Sequence, residues 1–122
     1  MISEKPVTPG DVLVVTLPSH NPWGREQEGR RPAVVVGVPS GKVRFPVVVV
    51  VPLTTQDGAW AQDNPMLYPS LAPGQGCLPR YSVALLDQVR ATDIRRVEGY
   101  LGTLAADDYE CIRAGLRQML RL

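Results

Sequence analysis

Five consecutive valines, Val47 to Val51, constrain this chain more than any other feature. β-Branched side chains favour an extended backbone, and a run without polar alternation has no face to give to water. A strand over residues 42–52, centred on these valines, is therefore expected to be covered on both faces. The apolar run from Val47 to Leu53 is far too short to cross a bilayer. With 122 residues there is room for one core and one domain.

Other segments supply what could cover that strand. Residues 12–17 and 33–38 read as further strands, separated by a long loop over 18–31, a length that marks functional or disordered segments. Pro39-Ser40-Gly41 reads as a turn. A short strand is expected at 66–68, another at 81–87 that residues 88–92 continue or close, and a turn or helical link at 93–97. The C-terminal segment, 106–122, is expected to be helical, because Tyr109, Ile112, Leu116, Met119 and Leu120 recur at helix spacing. Asp107 and Asp108 fall in its first turn, where carboxylates suit the helix dipole, and Arg113, Arg117 and Arg121 line another face. No internal repeat is visible. Short strands followed by a terminal helix predict a mainly β fold: a small, strongly bent sheet or barrel with the helix packed against it.

Composition narrows the function classes. A formal net charge of +1 provides no global basic field for nucleic acid, but Arg25, Arg30 and Arg31 concentrate positive charge within seven positions. Cys77 and Cys111 are too few for a disulfide scaffold and lack metal-ligand spacing, and with His20 as the one histidine a His/Cys zinc site is not credible. No metal and no cofactor is expected. Residues 1–10 carry Pro6 and Pro9 and no apolar signal-peptide core, so the chain reads as cytoplasmic, with no membrane partner.

The charged loop Gly24-Arg25-Glu26-Gln27-Glu28-Gly29-Arg30-Arg31-Pro32 holds the chemistry. A guanidinium fork engages two phosphate oxygens at once, and a carboxylate nearby can accept a proton. Arg31 precedes a proline and an apolar strand, which holds it on a rigid element. Taken alone, Glu26 can equally cap the loop or pair with Arg30 or Arg31.

Four segments together resemble the MazF/PemK toxin endoribonucleases. Gly10-Asp11 matches the family's Gly-Asp before the first strand. Gly24-Arg25-Glu26-Gln27 with Arg31-Pro32 matches its Gly-Ser-Glu-Gln and Arg-Pro. Pro52-Leu53-Thr54-Thr55-Gln56 matches its strand end. Asp87-Gln88-Val89-Arg90-Ala91-Thr92-Asp93, followed by Arg96, matches its Asp-Gln-hydrophobic-Arg segment. A Gly-x-Leu element before the helix falls on Gly99-Tyr100-Leu101 or Gly102-Thr103-Leu104.

The resemblance implies an SH3-like small barrel of the MazF/CcdB kind, acting as a homodimer. It places the toxin domain at 10–122 behind a flexible start at 1–9. It further implies metal-independent cleavage of single-stranded RNA, chiefly mRNA, at short motifs by the 2′-hydroxyl. The products are a 2′,3′-cyclic phosphate and a 5′-hydroxyl, and a MazE-like antitoxin is the partner. By this resemblance Arg31, Thr54 and Glu26 are the candidate catalytic residues. Glu26 would serve as general base and Arg31 as stabiliser of phosphorane charge, since a guanidinium is a poor proton donor. Arg25, Gln27, Arg30, Thr55, Gln56, Asp87 and Gln88 are the candidate RNA contacts, although an Asp at 87 can also cap a turn. Asp87 and His20 remain rival general bases, but His20 lies in a loop about two residues longer than the family's usual one. Trp23 and Trp60 can each stack on a base or fold against the protein. Some relatives carry a catalytic Arg where this chain has Leu85, so that version of the mechanism does not apply. The alternative within the same architecture is a CcdB-like gyrase poison without nuclease activity.

Overall fold

The valine strand is the hub of the sheet. The computed structural model describes residues 6–19, 24 and 26–122. These form β1 (Asp11–Leu17), β2 (Gly29–Gly37), β3 (Val47–Thr54), the short α1 (Ala59–Gln62), β4 (Ser70–Leu71), β5 (Ser82–Ala84), β6 (Arg90–Asp93), β7 (Val97–Thr103) and α2 (Ala106–Leu120). The strands run in the order β4-β5-β3-β2-β1-β7, with β6 also paired to β3. Every pairing is antiparallel.

One edge of β3 pairs with β2, from Val49 to Pro52. Its other edge is shared: Val47 to Val50 pair with β6, whereas Leu53 and Thr54 pair with β5. Pro52, which has no N–H for a ladder, sits where the partner changes, and its carbonyl accepts from the Leu85 N–H at 3.0 Å. The divided edge bends the sheet and leaves a core on each side of it. On one side Val12, Val34, Val51, Leu53 and Leu86 pack with Ile112 and Leu116 of α2. On the other Leu13, Val15, Ala33, Val35, Val48 and Val50 pack with the half-buried Val7, Ile94 and Val97. Within the valine run Val48, Val50 and Val51 are buried, and Val47 and Val49 are half-buried.

Ile112 is fully buried, and the helix lies close because Gly115 lacks a side chain. A Cβ there would collide with the Met66 carbonyl oxygen and with Leu86 Cδ1. Asp107 and Asp108 occupy the first turn, and the helix ends at Leu120, with Arg121 in the left-handed region.

Several strand boundaries depart from the sequence reading. β2 begins at Gly29 rather than at 33, since Leu17, Thr16, Val15 and Val14 of β1 pair with Gly29, Arg30, Arg31 and Pro32. The polar residues therefore belong to a strand that their composition does not advertise. Residues 42–46 stand outside β3, which starts at Val47. Residues 66–68 form a turn, with the Leu67 and Tyr68 N–H groups donating to the Asn64 carbonyl, and the short strand lies at Ser70–Leu71 instead. The strand expected over 81–87 contracts to Ser82–Ala84, and Leu86–Gln88 turns as 3-10 helix. Residues Ile94–Arg96 make the expected link, also as 3-10 helix. β7 lies outside every strand that the sequence pattern predicts: Gly99 and Gly102 dilute its alternation, and pairing with β1 defines it. The four-residue α1 is likewise too short to leave a helical pattern in the sequence. Of the flexible start expected at 1–9, residues 1–5 lie outside the described residues.

Candidate active site

The register Ala33↔Pro52 carries the start of β2 alongside the end of β3, so that Arg31 and Thr54 become neighbours despite the chain between them. A cleft of about 550 Å³ opens there. Glu26, Gln27, Arg30, Arg31, Thr54, Thr55 and Gln56 all line it. Glu28, Pro32, Leu53 and Ser82 line it as well, and sequence reasoning did not single them out. Ser82 is buried, and its hydroxyl donates to the Arg80 carbonyl at 3.0 Å.

Arg31 is the most constrained of these side chains. Its Nε and Nη2 donate to the Glu28 carbonyl at 3.1 and 3.0 Å, and Nη1 donates to the Leu53 carbonyl at 3.3 Å. One guanidinium thus bridges the loop before β2 to the end of β3. Among the described residues its partners are main-chain carbonyls, not a carboxylate. Burial pushes its pKa below the ordinary arginine value, and the group keeps its charge at neutral pH. Each Nη carries a second N–H for a ligand. A half-buried cation whose donors are oriented by main-chain carbonyls, with N–H groups to spare, is a seat for an anion.

Thr54 shares the peptide that Arg31 grips. Its Oγ1 accepts from the Gln56 N–H at 3.1 Å, which fixes the oxygen and leaves the hydroxyl proton to donate. Glu26 is exposed at the cleft and folds back over Gly24, where an added Cβ would lie 2.5 Å from Glu26 Oε1. Glycine at 24 leaves that space to the carboxylate.

The segment carrying Glu26 is hooked from β6 and the turn before it. Gln88 Oε1 accepts from the Gln27 N–H at 3.3 Å, and Arg90 Nη1 donates to the Gln27 carbonyl at 2.9 Å. Gln88 thus reaches the loop rather than the cleft. Arg90 entered the sequence reading only as part of a motif, and its grip on Gln27 spans 63 positions. Asp87 does not line the cleft. Its carboxylate accepts the Tyr68 hydroxyl at 2.6 Å, a hydrogen bond that raises the phenol's pKa above its ordinary value. Arg30 reaches the cleft rim while its Nε holds Glu98 Oε1 at 2.7 Å, and Thr16 donates to the other oxygen of Glu98. Trp60 packs edge-to-face on Tyr68, with ring centroids 5.0 Å apart. Arg25, His20 and Trp23 lie outside the described residues. Leu85 is buried. Among the described residues no cluster of three or more His, Cys, Asp or Glu side chains could hold a metal ion. No helix among them is long and apolar enough to cross a membrane.

A family model described as the PemK-like, MazF-like toxin of type II toxin–antitoxin systems matches residues 8–120. The chain belongs to this family. The PemK/MazF-like fold also appears in solved structures. MazF from Deinococcus radiodurans is 23% identical, with a TM-score of 0.69 over 93% of this chain and 96% of that one. An endoribonuclease in complex with its cognate antitoxin from a mycobacterial species is 19% identical, with a TM-score of 0.68 over 96% and 97% of the two chains. A MazE–MazF complex from Deinococcus radiodurans is 24% identical, with a TM-score of 0.63 over 93% and 94%. At these identities the likeness concerns the fold: a mainly β, bent sheet closed by a C-terminal helix. A search of curated protein sequences finds no match.

Proposed function

We propose that this PemK/MazF-like chain is the toxin of a toxin–antitoxin pair and a sequence-specific, metal-independent endoribonuclease of single-stranded RNA, chiefly mRNA. The observation that carries the reading is Arg31: a half-buried guanidinium, oriented by the Glu28 and Leu53 carbonyls, at the floor of a cleft shared with Glu26 and Thr54. Such a group stabilises charge that gathers on a phosphorane. In the proposed step Glu26 takes the proton from the ribose 2′-hydroxyl, and the oxygen attacks the adjacent phosphorus. Arg31 and the Thr54 hydroxyl donate to the non-bridging oxygens. The bond to the 5′-oxygen breaks, that oxygen takes up a proton, and a 2′,3′-cyclic phosphate remains. Gln27, Thr55 and Gln56 line the same cleft and are proposed to contact base or sugar. Arg25 and Arg30 are proposed to position the RNA backbone, and Asp87 and Gln88 to meet RNA beside the cleft rather than in it. The active form is a homodimer, and a MazE-like antitoxin restrains it; solved relatives of this fold include toxin–antitoxin complexes.

The test is incubation of the purified protein with a long single-stranded RNA in EDTA. Cleavage leaving cyclic phosphate and 5′-hydroxyl ends is the expected result. Intact RNA at enzyme excess, or cutting that disappears with chelator, overturns the reading. Inhibition of DNA gyrase by a protein that leaves RNA intact would establish the CcdB-like alternative.

A further inference from the structure

The far end of β3 from the cleft gathers positive charge that the proposed reaction does not use. The segment joining β2 to β3 carries Lys42 and Arg44, and Val38, Val43 and Phe45 on it are exposed, Phe45 by 61%. The Arg44 guanidinium carbon lies 5.0 Å from the centroid of the Phe45 ring. The turn after β6 is fastened beside it: Val47 pairs with Asp93, and the Ile94 N–H donates to the Pro46 carbonyl at 3.0 Å. That brings the exposed Arg95 and Arg96 to the same end. Asp93 is occupied by Arg95 at 2.9 Å, and Glu98, two residues beyond Arg96, turns to Arg30 and Thr16. Among the described residues, Lys42, Arg44, Arg95 and Arg96 therefore stand against Asp93 in a chain whose formal charge is only +1.

We propose that this end is a second contact for single-stranded RNA, in which Lys42, Arg44 and Arg96 meet phosphates and Phe45 stacks on a base. The inference rests on the nuclease reading for its ligand class. An exposed aromatic ring is a poor feature to leave in water, and its π-face accepts any base. Basic side chains around it supply the backbone attraction that single-strand binding requires. β3 separates the patch from the cleft by seven residue steps, roughly 23 Å. Only RNA extending well beyond the cut bond reaches both sites, so the patch favours long single strands over short ones.

Fluorescence anisotropy with 2′-O-methyl RNA, which the 2′-hydroxyl reaction cannot cut, separates binding from chemistry. The wild-type protein is expected to prefer a long strand to a short one, and the Lys42→Gln/Arg44→Gln/Phe45→Ala variant to lose about tenfold in affinity for the long strand and with it the preference. The slope of log affinity against log salt should fall by about 1.4, roughly 0.7 for each cation removed. Phe45→Trp, which keeps a stacking face, should retain affinity. All three side chains are exposed, and matched unfolding curves verify that the variants are folded. A triple variant that binds long RNA as tightly as the wild type overturns the proposal, and with wild-type cutting intact the nuclease reading survives it. A wild-type protein that neither binds nor cuts RNA overturns both.

Discussion

Arg31 shows how much one side chain inherits from its register. Its guanidinium grips carbonyls from two segments, and an ammonium on a flexible stem cannot reproduce that fork. Arg31→Ala is expected to lower RNA cleavage by at least about 100-fold with an unchanged far-UV CD spectrum, and Arg31→Lys to recover little of it. Unchanged cutting would remove Arg31 from the site. Asp93 offers a test of the basic end. Hydrogen bonds from Arg95 hold its carboxyl well below the usual range, at about 2. Because the folded value is depressed, the pair's contribution is complete above the unfolded value of about 3.9 and is lost as pH falls through the folded one. An NMR titration of the Asp93 carboxyl should show that midpoint, and Arg95→Ala should move it up toward the ordinary aspartate value. A midpoint already ordinary in the wild type would show that the pair does not form in solution.

At the scale of elements, α2 is seated by an absence. Gly115→Ala places a methyl group against the Met66 carbonyl, part of the backbone, so the helix must shift and the protein should lose about 1–3 kcal/mol. Helix propensity alone predicts the opposite sign, since alanine is the better helix former. Urea midpoints of the two proteins decide which effect dominates. β3 shows a similar dependence on its surroundings. Its proline would argue against a central strand, but it falls where β6 gives way to β5.

For the whole molecule, the two cores share β1, β2 and β3, which contribute alternate residues to each side. Neither core can dissolve without unpairing strands that the other needs. Unfolding curves followed by far-UV CD and by tryptophan fluorescence should therefore coincide. Separate transitions would show that the faces are independent. The charge distribution also belongs to this scale. A net charge near zero conceals a cleft with Arg31 at one end of β3 and a basic, aromatic surface at the other.

By itself the sequence determined the local propensities: a buried valine strand, an amphipathic C-terminal helix, and motifs that name Glu26, Arg31 and Thr54 by resemblance to a toxin family. These were legible because side-chain branching, helix spacing and short motifs are properties of neighbours in the chain. Tertiary structure alone decided that Arg30 to Pro32 form a strand, that β7 exists, that Gln88 and Arg90 hold Gln27, and that Arg44 and Arg95 share an end of the molecule. The physical reason is register. Strand pairing joins residues tens of positions apart through main-chain hydrogen bonds, which carry no side-chain signature, and only the folded sheet states which of them meet.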